Sequence, residues 1–402
     1  MKFKSPFFFS FMLTIFLLLV CASFLHAAAP VLHVFRGETG FGLIDDAGKV
    51  ILEPKFEAIV DCSRPSSIII KSGGKSGVVN SKGEFVIKPE YDEITFFTED
   101  LAPFKKDGKW GFVSASGEVR VAAKYDSAMN FKNGLAAVAV SGKWGYVDKT
   151  GREIIPQTFD EAGNFNQGRA VVKKDGLYGF VADSGEVIVS PKYFYAQNFC
   201  EDRAIVCVTS SNYGFIDFSG KIVVETKYER AYNFSEGLAG VRLNKKWGYI
   251  DKNGGVVIGL QFDFAGMFLG GLAQVRKNGK WGYIDKTGAA VIKIDYDECH
   301  EFTEGLAAVK SGGVWSFVNR KGEKTFDLPK GTKTCSRFSS GLAMFTDEAG
   351  ACGFVDATGK VAISPKFKQA GDVAFVGSLI RVTEGSDEVY INKTGKIIGK
   401  FK

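Results

Sequence analysis

Residues 134–155 read Gly-Leu-Ala-Ala-Val-Ala-Val-Ser-Gly-Lys-Trp-Gly-Tyr-Val-Asp-Lys-Thr-Gly-Arg-Glu-Ile-Ile, and this stretch decides the fold. Leu135 to Val140 is an apolar run of strand length. Ser141-Gly142-Lys143 makes a turn. Trp144 to Asp148 is a second strand, with Trp144 and Tyr146 on one face and Gly145 and Val147 on the other. Asp148-Lys-Thr-Gly151 has the composition of a tight hairpin loop, in which the Asp side chain caps turn amides and Gly supplies a left-handed angle. Glu153-Ile-Ile155 is a third strand. The connector, Pro156 to Phe165, carries the pair Phe159-Asp160 and leads into another run of the same kind. The unit is a three-stranded antiparallel meander.

The unit recurs. The glycines of Phe41-Gly42-Leu43, Ser76-Gly77-Val78, Trp110-Gly111-Phe112, Trp144-Gly145-Tyr146, Tyr178-Gly179-Phe180, Tyr213-Gly214-Phe215, Trp247-Gly248-Tyr249 and Trp281-Gly282-Tyr283 are 34 or 35 residues apart. Trp315-Ser316-Phe317 and Cys352-Gly353-Phe354 continue the series, and a degenerate last copy runs through Tyr390-Ile391-Asn392. A turn glycine follows in each, from Gly48 to Gly395, which makes eleven copies. A fixed period of this length is the mark of a repeat architecture. An isolated small meander is marginal in water, so the copies must stack to bury their aromatic and Ile/Val faces. The backbone at Gly145 and its equivalents is expected to let a neighbouring aromatic approach the sheet.

Composition agrees. The 402 residues include 48 Gly and 36 Phe, with no collagen period and too many aromatics for a disordered tract. The net charge of +6 is scattered, without the basic stripe that nucleic-acid binding needs. Residues 1–29 form an export signal: Lys2 and Lys4 precede an apolar run from Phe7 to Leu19, with small residues at Ala22 and again at Ala27 to Ala29. Cleavage after Ala22 is the preferred reading, and lipid attachment at Cys21 the lesser one. Residues 30–402 are the repeat array. No second apolar stretch has the length of a membrane span.

The Lys-Trp-Gly-Tyr-Ile-Asp-Lys-Thr-Gly motif (280–288), with Tyr296-Asp297 and the Phe302-x-x-Gly-Leu-Ala segment (302–307), resembles the bacterial WG-repeat, or KWG-repeat, family. The resemblance covers the whole array and implies a repeat module without a common chemistry. Departures fall at Ser76, Ser316, Cys352 and the final copy. A 34-residue unit is short beside a WD40-type blade of about 40–45 residues. Eleven units also exceed the usual range of about 4–8 propeller blades. The expected fold is therefore all-β, a tandem repeat of about eleven propeller-like blades in an open superhelix or more than one ring; a single closed β-propeller is the alternative.

The catalytic inventory is thin. The array holds His33, within an apolar strand, and His300, in Asp297-Glu298-Cys299-His300-Glu301. Neighbouring strand residues point to opposite faces, which disfavours cooperation between Cys299 and His300. No HExxH, GxSxG, Walker or dinucleotide motif occurs, so no metal, cofactor or catalytic residue is expected. The series Asp45, Asp148, Asp217, Asp251, Asp285 and Asp356 reads as turn caps, because Asn80, Asn319 and Asn392 replace it elsewhere. Lys109, Lys143, Lys246 and Lys280 are expected to pair with acids such as Asp126, Asp160 or Asp263. Of the six array cysteines, Cys299 and Cys335 occupy equivalent positions in neighbouring copies and are the candidate disulfide.

These features point to an exported, non-enzymatic, monomeric scaffold, periplasmic or extracellular, that binds a protein or glycan at the bacterial envelope. The alternatives are a purely structural spacer and an envelope glycan-acting enzyme. The candidate ligand-binding residues are Tyr193, Phe194 and Tyr195, where Phe194 takes the place of the usual connector acid.

Overall fold

The computed structural model describes residues 31–64, 66–369 and 375–401. Residues 1–29, expected to be an export signal, and Cys21 within them lie outside the described residues. Every regular element among the described residues is a β-strand, and none of them forms a helix long and apolar enough to cross a membrane.

Numbering the copies one to eleven along the chain, copy four shows the construction. Leu135–Val140 pairs antiparallel with Lys143–Asp148, Val138 facing Gly145. Lys143–Asp148 then pairs with Glu153–Phe159, Trp144 facing Phe159 and Tyr146 facing Ile155, with a bulge between. The third strand thus runs on through Pro156, which the sequence had assigned to the connector. It lies at the edge of its sheet, where a residue without an N–H breaks no ladder.

The connector adds one more strand than the sequence marks. Two residues, Glu161–Ala162, pair with Lys173 and Val172 and extend the sheet of copy five. The sheet of copy one has three strands among the described residues, and those of copies two to nine have four. Copies ten and eleven share the strand Val361–Gln369, giving one seven-stranded sheet.

Gly145 is required for a reason the sequence did not show. A Cβ there would lie 2.3 Å from the carbonyl oxygen of Ile155 and 2.6 Å from the Pro156 carbonyl carbon. What presses on Gly145 is the bulged backbone of the next strand in its own copy; the expected aromatic approach occurs at the equivalent Gly42 and Gly353, where Phe35 and Phe345 ring carbons would lie 2.8 Å from a Cβ.

The core lies between sheets. Tyr146 faces forward into a cluster with Ile155, Phe159, Phe165, Ala170 and Val181, which joins copies four and five. Val147, on the other face of the same strand, belongs to the cluster joining copies three and four. From copy three to copy ten a connector phenylalanine leans on the ring of the preceding second strand. The centroid distances are 4.6 Å for Phe112–Phe131, 4.8 Å for Tyr146–Phe165, 5.3 Å for Phe180–Phe199 and 4.9 Å for Phe215–Phe234. Burying each such phenylalanine contributes roughly 1.5–3 kcal/mol.

The turn glycines complete the stacking. Gly151 has φ +81° and sits over Val121 of the preceding copy, where a Cβ would come within 2.9 Å of a valine methyl. The same relation links Gly83 to Leu52 and Gly288 to Ile258, and it links Gly48 of copy one to Ile398 of copy eleven. The ends of the array therefore meet. Ser378 donates its backbone N–H to Asp46 at 3.0 Å, and Tyr390 donates its hydroxyl to the Val34 carbonyl at 3.1 Å. Ile44, Leu379 and Tyr390 form a buried cluster across the seam. The chain thus adopts the alternative arrangement, a single closed ring, and not the favoured open superhelix or set of rings, because the first and last copies bury their outer faces against each other.

Candidate functional site

Two sets of carboxylates fix the copies against one another. Lys143 lies 2.5 Å from Asp160, which follows the third strand of the same copy. The other oxygen of Asp160 accepts the amide of Asp175, 2.7 Å away in the first hairpin of copy five. Asp126 and Asp297 repeat this, each with a lysine of its own copy at 2.5 Å, Lys109 and Lys280. Their other oxygens accept the amides of Ser141 and Gly312 in the next copy. The lysine hydrogen bond, with the turn amide behind it, holds the Asp160 carboxyl below the usual carboxylate range.

The second set uses left-handed turns as anion nests. Glu201 accepts the amides of Glu236 and Gly237 at 2.6 and 2.9 Å, and Lys252 stands 3.6 Å away. Glu99 does the same with Gly134, at 3.0 Å, and Lys149, at 3.1 Å. The seam reverses this polarity. Asp46 occupies the turn position of those lysines and Gly377 that of those glutamates, so the carboxylate now belongs to copy one and the amide to copy eleven. His33, buried in the first strand, places Nε2 2.9 Å from Asp46.

The D-x-x-G aspartates cap their own turns. Asp148 Oδ1 accepts the amides of Thr150 and Arg152 at 2.9 and 3.1 Å. Asn80 does so for Lys82 and Glu84. Among the described residues no three His, Cys, Asp or Glu side chains gather into a cation site. His300 is half-buried against Trp315, ring centroids 5.1 Å apart, and burial pushes its pKa down.

Cys299 and Cys335 are both thiols in the structure and both line one cleft, but their side chains pack into different core layers. Burial pushes both thiols up to about 12.

The aromatic triplet divides. Tyr193 is buried among Phe180, Val189 and Phe199. Phe194 is 55% exposed. Tyr195 stands edge-on between Tyr178 and Tyr213, with centroids 6.1 and 6.2 Å away, and its hydroxyl accepts a hydrogen bond from Gln197 at 2.8 Å.

Beside that row of tyrosines lies a cleft of about 520 Å³. Tyr178 forms one wall, with the Lys173 ammonium 5.1 Å from its ring centroid and 2.8 Å from Glu161. Asn166, Asn198 and Asn233 reach it from three successive connectors. Asn166 is committed, donating to the Phe199 carbonyl at 2.7 Å. The amide oxygens of Asn198 and Asn233 are buried and accept no hydrogen bond. Such an oxygen costs about 1–3 kcal/mol until a donor reaches it. Asn198 and Asn233 are candidate residues that the sequence did not single out. Their signal was a run of Asn-Phe pairs, Asn130-Phe131, Asn164-Phe165, Asn198-Phe199 and Asn233-Phe234, at a position held elsewhere by Phe96, Met267, Glu301 and Arg337.

Residues 41–62, 77–110, 110–144, 144–178, 178–209, 213–247, 247–281, 281–315 and 353–386 match the model of the WG containing repeat. No curated protein matches the chain. Among solved structures it is similar to a eukaryotic initiation factor, with 11% identity, 73% of this chain and 94% of that one covered, and a TM-score of 0.40. It is also similar to BamB from Moraxella catarrhalis, with 13% identity, coverage of 68% and 96%, and a TM-score of 0.32. For PorZ, a surface component of the type-IX secretion system of Porphyromonas gingivalis, the identity is 10%, the coverage 92% and 60%, and the TM-score 0.26. None of the three carries a role across to this chain.

Proposed function

The chain belongs to the WG-repeat family, and from that premise we propose that it is a non-catalytic binding scaffold, exported to the cell envelope, whose ligand is a glycan. The observation that carries this reading is the pair of buried amide oxygens of Asn198 and Asn233 in a cleft walled by Tyr178. Sugar hydroxyls supply the donors those oxygens lack, and an aromatic wall suits the apolar face of a pyranose. Lys173 and Glu161 at the rim add one donor and one acceptor. The ring of sheets holds three connectors in register, which is what a site assembled from three copies requires. Export rests on Lys2, Lys4 and the apolar run that follows them.

The test is a glycan array probed with the ring, residues 23–402, and with the double variant Asn198→Leu, Asn233→Leu. The wild-type chain should bind a defined set of glycans, and the double variant should lose them while keeping its melting temperature. An array without hits, or hits that survive the double substitution, overturns the reading.

A further inference from the structure

Copy two lacks the ring that most other copies carry at the start of the second strand. Phe41, Trp110, Trp144, Tyr178, Tyr213, Trp247, Trp281 and Trp315 hold that position, and Ser76 holds it in copy two. The substitution leaves space. A cleft of about 650 Å³ opens at Ser76, between the connector residue Val60 and the next connector's Ile94, Thr95 and Phe96.

Other copies show what normally sits there. Trp247 stacks on the connector ring of Tyr232, centroids 4.6 Å apart and planes 11° from parallel, and packs in the same cluster as Ala265 of the next connector. Trp281 lies 5.3 Å from Phe264. In copies three, eight and nine a cation also covers the ring from the facing strand. Lys105 faces Trp110, Arg276 faces Trp281 and Lys310 faces Trp315, at 5.8, 5.4 and 5.3 Å from the ring centroids.

In copy two the cation remains after the ring has gone. Lys71 faces Ser76 across the ladder and lines the cleft. Copies ten and eleven also lack the ring, at Cys352 and Glu388, but there the facing residues are Thr346 and Thr383. Copy two alone among the described copies combines a missing ring with a retained cation.

Two further observations bear on the occupant. Thr95 Oγ1 is buried at the cleft and has no hydrogen-bond partner. Phe96 and Val60, at 54% and 52% exposure, hold apolar surface at the cleft wall. We propose that this slot binds a planar aromatic ring bearing a hydrogen-bond donor, an indole or a phenol, in the place that the repeat's own side chain fills elsewhere. The ring lies between the two connectors with Lys71 at its face, and its N–H or O–H donates to Thr95. The same chemistry is offered by a free aromatic molecule or by a tryptophan or tyrosine side chain of a peptide.

The test uses the ring with residues 23–402 and follows 5-fluoroindole by ¹⁹F NMR, with N-acetyltryptophanamide as competitor. Saturable binding to the wild-type chain is expected. Ser76→Trp should abolish it and raise the melting temperature, because the repeat's own ring then fills the slot. Lys71→Met should weaken binding about 2- to 5-fold, the loss of one cation–π contact. Thr95→Val should weaken indole binding and leave that of fluorobenzene unchanged. Stronger competition by N-acetyltryptophanamide than by indole assigns the slot to a peptide side chain; the reverse assigns it to a free molecule. No saturable binding to the wild-type chain, or equal binding by the Ser76→Trp and Lys71→Met variants, overturns the proposal. The variant Asn198→Leu, Asn233→Leu should bind 5-fluoroindole as wild type does, so this result and the glycan result stand or fall separately.

Discussion

Asp160 and Lys143 lie 2.5 Å apart within one copy, yet the same carboxylate reaches into the next copy and takes the Asp175 amide at 2.7 Å. A pair that looks like a surface salt bridge is thus one half of a connection between sheets. Removing Asp160 strands a backbone N–H of copy five; removing Lys143 does not. Asp160→Ala should therefore lower the melting temperature more than Lys143→Ala. The double variant should fall short of the sum. Strict additivity of the two shifts in thermal unfolding would rule out the pairing.

The same carboxylates set a pH dependence. The Lys109, Lys143, Lys246 and Lys280 hydrogen bonds hold the Asp126, Asp160, Asp263 and Asp297 carboxyls below their ordinary values. A pKa lower in the folded than in the unfolded chain gives stability that is present above the unfolded value, about 3.9 for Asp. It is lost as pH falls through the folded values. Melting temperature should be flat from neutral pH to about 5 and then decline. Replacing these four aspartates by asparagine should flatten that decline. An acid limb unchanged in the fourfold variant would assign it to other groups.

Tyr146 and Tyr249 are buried, and each donates to a connector carbonyl, that of Gly163 or Gly266, at 2.7 Å. Burial raises the pKa of both phenols. Phenylalanine at either position keeps the ring contact with Phe165 or Phe268 and leaves the carbonyl without its donor. Each substitution should cost about 1–3 kcal/mol in denaturant unfolding. The two should add, since they lie in separate core layers. A cost near zero would mean that water reaches Gly163 or Gly266.

Cys299 and Cys335, pushed up to about 12, stay protonated at pH 8. Both should react with iodoacetamide far more slowly in the folded chain than in urea, since the thiolate is the nucleophile. Six thiols should titrate in the denatured, unreduced array. A count of four, with a peptide linking Cys299 to Cys335, would establish the bridge instead.

How much of this was legible in the sequence follows from what each feature depends on. The three long strands and the turns were readable because Gly151 and Trp144 carry their own constraints, a left-handed angle and a large apolar face. Glu161–Ala162 was not, because two residues are too few to display a period. Closure left no local mark either, since it depends on a small rotation per copy accumulated over all eleven. It shows only in single exchanges such as Asp46 for lysine. The cleft escaped because asparagine before phenylalanine is ordinary within one copy and becomes informative only when four consecutive copies share it.

The seam adds a demand of its own. Asp46 and Ser378 meet across 332 residues, whereas every other interface joins neighbours in the chain. Those neighbouring layers can assemble in any order, each over a short loop. The final one is a long-range contact that gains nothing until the whole arc is in place. Until then the outer faces of Ile44 and Leu379 stay wet, and a chain cut short by a single repeat would keep two sticky ends that can find other molecules.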